Sequence, residues 1–188
     1  MRVVGGRLRG RNLASPSSNE IRPTQDRLRE SLFNILMHAT WSDDGTSPLL
    51  GARVLDAFAG SGALGIEALS RGAAHATFID NDATAIRLIG ENLRKLGETA
   101  AAKVIRADAT HPPPSRETCD LVFLDPPYRS GQATPALIAL AAAGWFKPGT
   151  IASVELANTE DMVLPDGFTT VDERRYGLAK IVILRHGP

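Results

Sequence analysis

From Val54 onward, short apolar runs alternate with stretches of helical periodicity, and this alternation restricts the available folds more than any other feature of the chain. VLDAF (54–58) precedes a helical stretch at 63–71, and ATFID (76–80) precedes one at 82–96. KVIRAD (103–108) leads to LVFLD (121–125), followed by a helical stretch at 133–145 and by TIASVE (150–155). Repetition of this kind predicts a parallel sheet with helices on both faces. FTTVDERRY (168–176) and AKIVILR (179–185) flank only Gly177 and Leu178, a connection short enough to predict an antiparallel pair at the sheet's edge. The expectation is an α/β fold with a seven-stranded, mostly parallel sheet whose last strand is antiparallel.

Ahead of this core, Val3, Val4 and Leu13 surround Gly5, Gly6 and Gly10, which predicts a small β-hairpin arm with arginines projecting from it. A helix is expected from about Gln25 to His38, with Leu28, Leu32, Ile35 and Leu36 on one face, Thr24 as N-cap and Asp26 in the first turn. WSDDGTSP (41–48) reads as a loop. The expected division is therefore an arm and helix over 1–40 and one compact core over 41–188.

A chain of 188 residues is long enough to bury a core without staples, and its single cysteine, Cys119, cannot form an internal disulfide. The arginine-rich start has no apolar leader behind it, and no stretch approaches the roughly 18 apolar residues of a membrane span. These features predict a soluble cytoplasmic protein without a membrane partner. The four histidines, at 38, 75, 111 and 186, lack ligand spacing, so no metal site is expected. Formal net charge is zero, but residues 1–30 carry seven arginines against three acids, a net of +4, and the rest carries −4. The arm is thus a candidate for binding phosphates, through Arg7, Arg9 and Arg11.

Two motifs carry chemistry. In DAFAGSGALG (56–65), Gly60 and Gly62 open the turn between a strand and its helix, where missing side chains let backbone N–H groups reach a ligand. A dinucleotide would also suit such a turn, but Asp56 at the strand end would repel its pyrophosphate. That acid suits a cationic amino-acid tail, such as that of S-adenosylmethionine. Asp80 and Asp108 end the next two strands; the first can accept from ribose hydroxyls, the second from an adenine amino group. Ala57, Phe58, Asn81 and Ala109 adjoin these acids and complete the candidate cofactor set.

The second motif, Asp125-Pro126-Pro127-Tyr128, follows a wholly apolar strand and so projects into the crevice at the strands' carboxyl ends. Its prolines withhold N–H donors and present carbonyls. The Asp125 carboxylate and the Pro126 carbonyl can each accept one N–H of an exocyclic amino group. That anchoring aims the nitrogen lone pair and stabilises the positive charge developing on attack, while Tyr128 stacks on the base. A base inside a duplex does not expose this group, so the target is unpaired or flipped out.

With both motifs in view, the sequence resembles the class I S-adenosylmethionine-dependent methyltransferases, and within them the RsmD-type family acting on guanine N2 of 16S ribosomal RNA. The resemblance runs through RVVGGRLRGRNL, IRPTQDRLRESLFNIL, VLDAFAGSGALGIEALSRGA, ENL at 91–93, DLVFLDPPY and the closing Tyr176-Gly177. It implies a Rossmann-like core, a monomer acting on RNA of an assembled 30S subunit or precursor, and Arg22 and Thr24 in a loop covering cofactor and base. The family often has Glu where Asp80 stands. The alternatives are an N6-adenine methyltransferase of DNA or RNA, and a non-catalytic nucleotide-binding protein on the same fold.

Overall fold

The computed structural model describes residues 1–15, 23–41 and 45–187, without the side chains of Pro23 and Thr24. Its strands are β1 Arg53–Ala57, β2 His75–Asp80, β3 Ala102–Arg106, β4 Cys119–Leu124, β5 Phe146–Ala157, β6 Phe168–Tyr176 and β7 Ala179–His186. They form one seven-stranded sheet in the order β3-β2-β1-β4-β5-β7-β6. The first five run parallel, and β7 lies antiparallel between β5 and β6. The reversal of strand order between β1 and β4 opens the crevice at the carboxyl ends of these strands.

Helices α1 (Pro23–His38), α2 (Ala63–Ser70), α3 (Ala83–Leu96) and α4 (Ala133–Ala142) cover the sheet unevenly. Leu28, Leu32, Phe33 and Leu36 of α1 pack with Val54, Leu121, Phe123 and Ile151, the ring centroids of Phe33 and Phe123 lying 5.4 Å apart. On the same face, Ile66 and Leu69 of α2 and Ile89, Leu93 and Leu96 of α3 enclose Phe78. The opposite face receives Ala136, Leu137 and Leu140 of α4 against Leu55, Val122, Leu124 and Val154. No helix joins β3 to β4, because the proline-rich stretch 112–114 cannot supply helical N–H donors.

Several boundaries differ from the sequence reading for local reasons. Helix α1 starts at Pro23, whose missing N–H costs nothing in a first turn, so Thr24 lies inside the helix and not at its cap. Helix α4 ends at Ala142 instead of 145, since Gly144 turns the chain and Trp145 enters the core, its indole N–H donating to the Pro113 carbonyl at 3.0 Å. Asp82 caps α3, its carboxylate accepting from Thr84 N–H at 2.8 Å.

The expected N-terminal hairpin is present and short: Arg2 and Asn12 form an antiparallel bridge, Val3 N–H donates to the Arg11 carbonyl and Leu13 N–H to the Met1 carbonyl, both at 3.0 Å, and a 3-10 turn spans Gly6–Leu8. Its apolar residues do not alternate between two faces; Val3, Leu8 and Leu13 all turn inward onto α2 and α3. The segment is bolted down by buried polar groups. Asn92 of α3 accepts from Ala14 N–H and donates to the carbonyls of Ala14 and Ser61. Ser70 accepts from Leu8 N–H and donates to the Gly5 carbonyl. Glu67 of α2, fully buried, accepts from Val4 N–H at 2.8 Å and Arg71 Nε at 2.7 Å, and lies 3.9 Å from Arg29 Nε of α1.

Removing Glu67 would leave two buried guanidinium groups short of their counter-charge. Glu67→Ala is expected to lower unfolding stability by about 3–5 kcal/mol, measured by urea denaturation, with earlier proteolysis within residues 1–40. A change below about 1 kcal/mol would show that this contact does not hold the arm and α1 in place.

Candidate active site

The glycine turn between β1 and α2 is built by backbone strain and by two carboxylates. Phe58, Gly60 and Gly62 all have left-handed φ values, 63°, 55° and 78°. For glycine this costs little, whereas a side chain in that region costs about 1–2 kcal/mol. The strain at Phe58, which has no signature in the sequence, is held by Ala59 N–H donating to the Ile79 carbonyl and by Gly62 N–H donating to the Ala59 carbonyl. Gly65 serves close packing instead. A Cβ there would fall 2.3 Å from the Phe78 ring, so its absence lets α2 close onto β2.

Asp80 accepts from Gly60 N–H at 2.8 Å and from Asp82 N–H at 2.9 Å, tying the turn to the end of β2. Each oxygen retains acceptor capacity for a ribose hydroxyl. Asp56 is 1% exposed and accepts from Gly65 N–H at 2.8 Å. Burial pushes its carboxyl up to about 8, the Gly65 N–H opposes this, and the Asp80 charge adds to the rise. Such a group favours a cation beside it.

Register sets the remaining geometry. Asp56 lies opposite Phe123, and Leu124 lies opposite Val154, so Asp125 and Glu155 stand side by side one step beyond. Alternation along the strands turns Asp56, Asp125 and Glu155 to the face that α1 covers. They line one cleft of about 250 Å³ with Phe58, Gly60, Leu28, Arg29 and Ile181. Asp125 is exposed at the mouth of the cleft, yet the protein atoms packed around its carboxyl and the charges of Glu155 and Asp56 hold it well above the usual range. Burial also raises Glu155, against a hydrogen bond from the Tyr128 hydroxyl to its Oε1 at 2.5 Å. Tyr128 remains 49% exposed, enough for a base to stack on its ring.

Glu155 was absent from the candidates drawn from sequence. It lies within β5, and only cross-strand register brings it beside Asp125; its one sequence signal was an acid at the end of the apolar run TIASV. Arg29 was missed also. It is 5% exposed, lines the cleft and donates to Asp26 and to the Arg2 carbonyl. Its Nε is the single buried side-chain polar atom without a hydrogen bond among the described residues.

Other candidates stand apart. Asp108 accepts from both the N–H and the hydroxyl of Thr110, which with lesser help from His111 lowers its pKa, and it does not line the cleft. Ala109 beside it is buried, and Asn81 is exposed. Arg7 is paired with Glu98 at 2.5 Å, and Arg11 reaches the Lys95 carbonyl at 3.4 Å, while Arg9 is exposed. Arg22 and the side chain of Thr24 lie outside the described residues. Burial pushes the Cys119 thiol up to about 12, which suits packing and not attack. A larger hollow of about 550 Å³, lined by Arg53, His75, Lys103 and Trp145, sits on the opposite sheet face, toward the strands' amino ends, without any of the strand-end acids.

The family model described as Conserved hypothetical protein 95 matches residues 1–185. Ribosomal RNA small subunit methyltransferase D of Haemophilus influenzae is 35% identical over 182 residues, covering 95% of this chain and 90% of its own. The protein of the same name from Escherichia coli is 39% identical over 156 residues, covering 82% and 74%. The solved structure of yhhF from Escherichia coli has a TM-score of 0.81 at 34% identity, covering 100% of this chain and 98% of that one.

The raised carboxyls make stability pH-dependent. Asp56, Asp125 and Glu155 retain protons in the native state at pH values where the unfolded chain has released them. Their contribution is therefore full below about pH 4 and is lost as pH rises through about 8 for Asp56. Asp56→Asn keeps an acceptor for Gly65 N–H and removes the charge. It is expected to stabilise the free protein by ~1–2 kcal/mol at pH 8 and by much less at pH 5, read from urea midpoints. Equal effects at both pH values would mean that Asp56 is already ionised in the folded protein at pH 5, so that its carboxyl is not raised.

Proposed function

The chain belongs to the RsmD-type family of 16S ribosomal RNA methyltransferases, and from this we propose that it transfers a methyl group from S-adenosylmethionine to the exocyclic N2 amino group of a guanine in small-subunit ribosomal RNA. The observation that carries this reading is the placement of Asp125, at the start of the Asp-Pro-Pro-Tyr turn, in one cleft with Asp56 and the Gly60 turn.

The residues fit the cofactor. Asp56, buried and short of a cation, suits the amino group of the methionine tail; Gly60 and Gly62 allow close backbone approach, and Asp80 offers acceptors to the ribose. Ala57, Phe58 and Asn81 adjoin these residues in sequence, Asp108 with its neighbour Ala109 would accept the adenine amino group, and Thr24, in the first turn of α1, would contribute to the cover. When bound, the cofactor supplies an electrophilic methyl group on a sulfonium. The protein's part is to hold and orient the amine. Asp125 and the Pro126 carbonyl accept its two N–H bonds, Pro127 keeps the turn rigid, and Tyr128 stacks on the base. As nitrogen gains positive charge, Asp125 stabilises it, and the proton leaves to Asp125 or to water.

Phosphate contacts fall to the arm. Arg9 and Arg11 are exposed, and Arg7 is half exposed although paired with Glu98; Arg22, outside the described residues, is assigned to RNA contact by sequence alone. The substrate is RNA within a 30S subunit or its precursor, approached by a cytoplasmic monomer whose 1–40 segment serves as RNA contact and active-site cover. No described helix is long and apolar enough to cross a membrane.

Incubation with methyl-labelled cofactor and undermethylated small subunits is expected to place label on guanine N2; label on DNA adenine alone would overturn the reading. Asp125→Ala is expected to bind S-adenosylhomocysteine normally in calorimetry and to lose about 100-fold or more in kcat. Neutralising Arg9 and Arg11 together is expected to raise the KM for RNA and reduce its salt dependence, with kcat unchanged.

A further inference from the structure

Methyl transfer to an amine requires one anchoring acid, yet the cleft holds two side by side. Asp125 ends β4, and Glu155 occupies the adjoining position on β5, both lining the cleft on the face beneath α1. The Tyr128 hydroxyl donates to Glu155 Oε1, which fixes the carboxyl group and leaves Oε2 as the further acceptor. Two neighbouring acceptors match a substrate edge that offers two neighbouring donors.

The purines differ on this point. The guanine edge presents the N1–H donor beside the N2 amino group, whereas adenine presents an N1 lone pair beside its N6 amino group. We infer that Glu155 selects the target base by accepting the N1–H of guanine while Asp125 anchors the N2 amino group, so that an adenine N1 meets a carboxylate with lone pair against lone pair. This assignment rests on the guanine-N2 reading and adds the residue that chooses the base.

Two further observations support it. The Glu155 charge makes Asp125 harder to ionise, a repulsion that two incoming N–H donors relieve. The Tyr128–Glu155 bond also joins the stacking ring to the edge-reading acid, so a base on Tyr128 lies beside Glu155.

The test compares kcat/KM on small subunits reconstituted with either guanine or 2,6-diaminopurine at the modified position. The analogue keeps the N2 amino group but carries an N1 lone pair in place of N1–H. Wild type is expected to prefer guanine by about 30- to 100-fold, the worth of one charged hydrogen bond. Glu155→Gln is expected to lose that preference or invert it, because its amide can donate to N1 of the analogue. Glu155→Asp is expected to keep the guanine preference at a reduced rate. Equal losses on both bases in Glu155→Gln, with the wild-type preference retained, would overturn the assignment and leave Glu155 a support for Tyr128. Wild-type label absent from guanine would instead overturn the guanine-N2 reading, and this inference with it. Calorimetry with S-adenosylhomocysteine confirms that each variant is folded.

Discussion

The cleft exists because a buried carboxylate, Glu67, clamps three separate parts of the chain. It takes one hydrogen bond from the N-terminal segment, one from Arg71 at the end of its own helix, and the charge of Arg29 from α1. Helix α1 would otherwise be held to the sheet mainly by its leucines and Phe33, contacts that resist separation more than sliding. A directional ionic network of this kind specifies position even where its net contribution to stability is small. Because α1 is held in place, Leu28 and Arg29 become a wall of the cleft. The network also ends close to the site, since Arg29 belongs to both.

Within the cleft, electrostatics are arranged in opposition to ordinary stability. Three carboxyl groups, Asp56, Asp125 and Glu155, share one face, and each is driven toward its neutral form by burial. An apolar substitute at these positions would pack without that penalty. The retained cost is what gives a cationic or N–H-rich ligand its advantage, because each donor that arrives restores a favourable environment to a charge. The strained Phe58 backbone works in the same way, with an unfavourable local conformation held by the surrounding hydrogen bonds so that the turn is preformed.

The zero net charge conceals a division of labour more specific than basic arm and acidic core. Arg29 is buried in the Glu67 network, Arg2 lies 3.7 Å from Asp26, and Arg7 is paired with Glu98. Much of the arm's positive charge therefore attaches the arm to the fold. Arg9 stays exposed for other contacts. Composition counts both kinds of arginine alike, since pairing depends on which acid stands opposite after folding.

The strand rhythm, the glycine turn and Asp-Pro-Pro-Tyr were legible in the sequence because each is local: periodicity, a left-handed turn and a proline-bound loop are set within a few residues. ENL stood out as a motif without its reason, which is Asn92 clasping Ala14 and Ser61. The short N-terminal hairpin was legible from its glycines, but not the inward turn of Val3, Leu8 and Leu13 onto α2 and α3, which depends on how the arm docks. Glu155 and Arg29 had no local signature. Tyr128 and Glu155 meet across 27 positions, and Arg29 and Glu67 come together from different helices. The sequence by itself determined the sheet and the residues at its strand ends. Only the tertiary structure decided which carboxyl stands beside Asp125 and which arginine lines the cleft, because both depend on register and helix docking between distant segments.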